Sequence, residues 1–209
     1  KVATDVADAA ASVLSGWSTS GDDYRATFVA EANAGASLKA ITDAVIVHVD
    51  KEAKDRKVGI PTGVKSECSS FSCPSLIEFP YTETSLAAVK NNLSGFKKLL
   101  TGADGKGIDD LLIARGFPEV SENLISTTNA AIANIDAATV SLFDQASATN
   151  DASTETACSN ANTSPDTQSV DYSGCALEGL ITQITDILKV NFVFALEVTL
   201  PGSVQSDND

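Results

Sequence analysis

The sequence predicts an all-α fold, an up-and-down helical bundle with long disulfide-stapled loops. Three observations predict it. Apolar residues recur at steps of three and four over long stretches, as in Leu86, Val89, Leu93, Phe96 and Leu100, which is one stripe along a helix. These stretches alternate with Gly/Ser/Asp-rich breaks, and no pair of runs reads as paired strands. Aromatic residues make up only 6% of the chain, so alanine does much of the packing, which suits close-packed helices better than a β-sandwich. A length of 209 residues buries a sizeable core as one large or two small domains, and residues 1–209 are read as one domain.

The organising stretch is Ser85 to Gly116. Its first half is the striped helix; Gly102, Gly105 and Gly107 then stop that helix, and Asp109 and Asp110 fall in the first turn of a second one, where carboxylates favour the positive dipole end. The corner does not fit a phosphate-cradling loop, because G-A-D-G-K-G has two spacer residues and Gly107 where a hydroxyl should follow Lys106. A calcium loop counted from Asp104 fails too, with Lys106 and Ile108 at ligand places and Arg115 at position twelve. The corner is read as a helix connection.

In chain order, a helix is expected from Val2 to Leu14 with Val2, Val6, Ala10 and Val13 on one face, a second from Asp22 to Asn33, and a long third from Ser37 to Lys57. The third has Leu38, Ile41, Val45, Val49 and Ala53 as its core stripe. The pairs Asp50–Lys54, Lys51–Asp55 and Glu52–Arg56 are placed at i, i+4 on its wet side, so its last two turns are expected to be solvated. Residues 58–83 lose the period and form a long loop. Pro118 opens a helix of about seven turns carrying Val120, Leu124, Ala131, Ile135, Ala138 and Leu142. Residues 146–173, rich in Ser, Thr, Asn and Asp, read as a second long loop. A final helix runs from Gly174 to Val198, helical despite the alternation at Val190, Phe192, Phe194 and Leu196.

The formal net charge of −14 disfavours nucleic acid and anionic lipid as partners. The longest uninterrupted apolar run, Phe192 to Leu196, is far short of the ~20 residues of a spanning helix, so no transmembrane segment is expected. No secretory signal is visible and no methionine occurs, which reads as a mature or trimmed product. Four cysteines allow three connectivities; the local closures Cys68–Cys73 and Cys158–Cys175 are the simplest, and would contribute about 2 and about 3 kcal/mol. Zinc is the rival, but no C-x-x-C occurs and His48 is the only histidine. Disulfides point to an oxidising compartment, a bacterial periplasm or the cell exterior. His48 and Glu52 are four apart but do not make a metal site; a partly buried histidine paired with a nearby carboxylate is expected.

The run L-x-G-F-x-x-L-L-T-G-x-D-G-x-G-I-D-D-L-L from Leu93 to Leu112 resembles the C-terminal half of imelysin-like proteins. In order with it, Asp55 to Pro61 followed by Gly63 resembles the family's long helix running into an "rxGxPxG" loop. Leu76 to Tyr81 with Ser85-Leu86 resembles its "lvEspyS…sL" segment, although Phe79 and Thr82 depart from the usual serines. Ala195 to Leu200 and the Asp-Asn-Asp end resemble its terminal helix and tail. The family's G-x-H-x-x-E signature is absent, with Ile46 and Lys51 in place of its Gly and Glu around His48.

The resemblance implies the second half of a longer protein of bacterial iron acquisition in the periplasm, at the cell surface or anchored to the outer membrane. Its metal- or ligand-binding site would be shared with a missing N-terminal half, which is the expected partner. Iron is the implied cofactor. Matching motif positions make Asp55, Arg56, Glu78, Tyr81 and Ser85 the candidate ligand-binding residues. The metallopeptidase activity for which the family was named is the alternative, although no complete catalytic set is visible. A helical scaffold for protein–protein interaction is a third reading.

Overall fold

A computed structural model describes residues 1–165 and 172–205. Among the described residues the regular elements are helical and no strand occurs. The chain divides into two compact units, Lys1–Asp43 and Ala44–Asp209.

The first unit holds α1 (Val2–Trp17), α2 (Tyr24–Phe28), a 3₁₀ turn (Glu31–Asn33) and the opening turns of α3 (Ala34–Val47). Trp17, Tyr24 and Phe28 meet with ring centroids 5.2–6.1 Å apart. The single helix expected over Asp22–Asn33 is broken after Phe28, because side chains take over its last carbonyls: Ser37 Oγ donates to Phe28 O at 2.7 Å and Asn33 Nδ2 to Thr27 O at 2.8 Å. The stripe of α1 is not core. Val2, Val6 and Val13 are 63–77% exposed, and no residue of the helix is buried.

The second unit is an all-α bundle. Its elements are a π-helical segment π1 (His48–Gly59), a single turn α4 (Ile60–Thr62), α5 (Ser85–Thr101), α6 (Ile108–Ala114), α7 (Pro118–Ala137), α8 (Leu142–Ala148), α9 (Ala152–Thr163) and α10 (Ser173–Ile187). After α10 come a second π segment, π2 (Leu188–Phe192), and α11 (Val193–Leu196). The centre is α10, where Ser173 to Ile181 are buried without interruption against α7, α9 and π1. The stripe of α5 buries Val89, Leu93, Phe96 and Leu100 against α7 and π1 as its spacing predicts. The Gly-rich corner is a helix connection: Gly102 takes the left-handed conformation at φ 67°, and Asp110 caps α6 by accepting from Gly107 N at 3.0 Å.

Two expected boundaries are corrected. The helix opened by Pro118 stops at Ala137 rather than reaching Leu142, because Ala138 is extended and Ser141 starts α8, its hydroxyl accepting from Asp144 N at 3.1 Å. The long loop expected over 146–173 contains α9. Asp151 accepts from the N–H groups of Ser153 and Thr154, both at 2.9 Å, and Thr154 Oγ1 accepts from Asp151 N at 3.1 Å, a reciprocal capping box. Cys158 and Ala161 turn one face of α9 into the core. Residues 166–171 of that expected loop, and the Asp207–Asp209 tail, lie outside the described residues. The expected 58–83 loop starts later, because Val58 and Gly59 complete π1 and α4 continues to Thr62; beyond that its course is irregular apart from a 3₁₀ turn at Pro74–Leu76.

Both local disulfides, Cys68–Cys73 and Cys158–Cys175, are formed. The stretch Ser173–Leu196 is the one described helix long and apolar enough to cross a membrane, and half of its apolar window is buried inside the protein.

A candidate site built on a buried ion network

The last turns of the long helix are π-helical, and that winding decides what they bury. Hydrogen bonds reach five residues back instead of four, so side chains five apart share a face. The buried residues of π1 recur at both four and five, Val49 with Ala53 and Lys54, Asp50 with Lys54 and Asp55, so its inward face is wider than the Val49–Ala53 stripe alone. The solvated face expected for Asp50, Lys54 and Asp55 is therefore turned inward. Asp50 and Lys54 are fully buried, and Asp55 is 9% exposed.

Four ammonium groups face three carboxylates there. Lys54 Nζ lies 2.8 Å from Asp50 Oδ1, Lys189 Nζ reaches the same oxygen at 3.0 Å, and Lys51 Nζ stands 3.3 Å from Asp55 Oδ2. Lys65 Nζ lies 3.2 Å from Asp55 Oδ1 and 3.8 Å from Glu178 Oε1. Glu178 in turn accepts from Asn162 Nδ2 on α9 and from Thr182 Oγ1 at 3.4 Å. The network thus ties π1, the loop after α4, α9, α10 and π2 together. Gly59 makes room for it: a Cβ there would sit 2.7 Å from Lys65 Cγ and 3.3 Å from Glu178 Cγ.

Burial pushes the Glu178 carboxyl above the ordinary glutamate range, opposed by Asn162 and Lys65. The native state then holds this proton over a pH window in which the unfolded chain has lost it. Below the ordinary glutamate value the group is neutral to stability; as pH rises through the window, it weakens folding until the folded value is passed. Glu178→Gln is expected to remove that segment of the stability–pH curve, read by urea unfolding at closely spaced pH values.

The candidate residues do not converge. Asp55 is inside the network. Arg56 is 62% exposed along its side chain and pairs with Glu52 at 2.9 Å along the helix. Glu78 is paired with Lys57. Tyr81 is 99% exposed. Ser85 is buried, and its Oγ accepts from Phe79 N at 3.3 Å, a loop-closing contact. His48, expected to be partly buried beside a carboxylate, is exposed at the start of π1. The residues that sequence reading missed are Asp50, Lys54, Lys65, Glu178 and Lys189. One signal was available: a carboxylate at Glu178 inside the apolar run A-L-E-G-L-I requires a cation when that helix is buried.

As chemistry, every carboxylate of the network is met by an ammonium group. Among the described residues no group of three or more His, Cys, Asp or Glu side chains is placed to hold a metal ion, and the nearest carboxylates, Asp50, Asp55 and Glu178, each have a lysine against them. The side chains present do not fit an iron site within this chain alone.

Fold and site together define a helical protein, stapled by two disulfides and organised around charges buried at a π-helical turn. The Imelysin family model matches residues 1–168, and the chain belongs to the imelysin family. No curated protein and no solved structure matches it.

Proposed function

We propose that this imelysin-family chain is a metal- or ligand-binding component of bacterial iron acquisition, acting in the periplasm or at the cell surface. Its site is completed by an N-terminal half of the same protein. The observation that carries this reading is the family match over residues 1–168. Two disulfides favour an oxidising compartment, and a net charge of −14 favours cations over anions near the surface. With Asp50, Asp55 and Glu178 engaged by lysines, the remaining metal donors fall to the other half. Iron is the cofactor proposed.

Calorimetric titration of ferrous and ferric iron into this chain, with and without the N-terminal half, tests the reading. Saturable binding is expected only when the halves are combined. Absence of binding in both samples overturns it.

A further inference from the structure

We propose that the cleft between α9 and the Thr62–Phe71 loop is a saccharide site, taking a neutral sugar of one or two rings. It is separate from the iron reading and does not rest on it. The cavity encloses about 390 Å³, within the roughly 300–1,000 Å³ of small-molecule sites.

Its lining matches the two chemistries of a sugar ring. Ring hydroxyls donate and accept at the edge: the Glu155 carboxylate accepts, and Ser159 and the Asn160 amide do both. The C–H face is apolar, and Phe71, which lines the cleft and is 41% exposed overall, offers an aromatic surface to pack against it. Deeper in, Asn162 Nδ2 is committed to Cys175 O at 3.2 Å and to Glu178, so its amide oxygen is the group left to accept. No lysine or arginine lines the cleft among the described residues, which disfavours an anion, and a compact cation would meet a single carboxylate there.

The wall is held before any ligand arrives. α9 is tied to α10 by Cys158–Cys175, fastened by Asn162 and capped by Asp151. Such prior ordering reduces the entropy lost on binding. It also accounts for a Ser/Thr/Asn-rich stretch that folds as a helix: Cys158 and Ala161 face the core, while Glu155, Ser159 and Asn160 face the cleft.

The test is calorimetry and saturation-transfer NMR on the whole chain with glucose, N-acetylglucosamine and maltose, beside choline and sulfate. At least one sugar is expected to bind saturably in the millimolar range or tighter. Phe71→Ala, at an exposed position, is expected to weaken it about tenfold. Ser159→Trp, which fills the cleft from an exposed helix position, is expected to abolish it with the Tm unchanged. The proposal is overturned if no sugar on the panel binds, if choline or sulfate binds in its place, or if both variants bind sugar as the parent does.

Discussion

Lys54→Ala is expected to destabilise the chain by about 3–5 kcal/mol, because it leaves Asp50 fully buried with its nearest ammonium gone. In a chain of this size that is a fall in Tm on the order of 10 °C. The size of the effect comes from what is left behind, not from the attraction removed: desolvating a carboxylate costs several kcal/mol unless a partner repays it. Lys189, at 3.0 Å from the same Asp50 oxygen, softens the loss without cancelling it. A double variant, Asp50→Leu with Lys54→Met, replaces the pair by apolar groups and should recover much of the stability, since buried pairs are worth little against hydrophobic substitutes. Urea unfolding of the parent and the two variants decides it. A Lys54→Ala loss below about 1 kcal/mol would match an exposed pair instead.

The second large effect is expected at Gly179. Here α10 comes so close to α9 that a Cβ would stand 2.1 Å from the carbonyl oxygen of Asn162 and 3.0 Å from its carbonyl carbon. Backbone cannot rotate aside as a side chain can, and Cys158–Cys175 holds the two helices together. Gly179→Ala must therefore displace α9 and strain the Asn162–Glu178 contact, at a cost of about 3 kcal/mol. Gly95→Ala is the matched control. It is an exposed helical glycine in α5 with nothing within 4 Å of the added carbon. There the usual gain of about 0.5–1 kcal/mol from a better helix former is expected. Opposite signs at the two glycines, measured by urea unfolding, separate close packing from helix propensity.

Much of the fold was legible because its signals are local. The stripe of α5, the Gly102–Gly107 corner, Pro118 at the start of α7 and the two short cysteine separations each act within a few residues. Each survives into the structure. What failed did so where tertiary geometry overrode the local rule. A 3.6-residue period puts Asp50 and Lys54 on the wet face of the long helix; π winding turns them inward. The composition of residues 152–163 reads as loop, yet Asp151 and Thr154 carried a capping signal, and the anchoring of Cys158 to Cys175 does the rest. The stripe of α1 shows the converse, since helical spacing alone does not say that anything covers it.

The candidate site was the least legible. Only Asp55 of the five motif-derived positions joins the buried network, because motif position reports order along the chain. Membership depends on which side chains the π turn, α10 and the loop after α4 bring within 4 Å.

Burial of the Lys54 ammonium is the proposition on which the site rests, and amine acylation of the native chain with peptide-level mass spectrometry tests it most directly. Lys54 is expected to stay unmodified until the chain is unfolded, while exposed Lys98 and Lys106 react at once. Acylation of Lys54 in the native state at the rate of Lys98 would contradict the inward π turn and the network built on it.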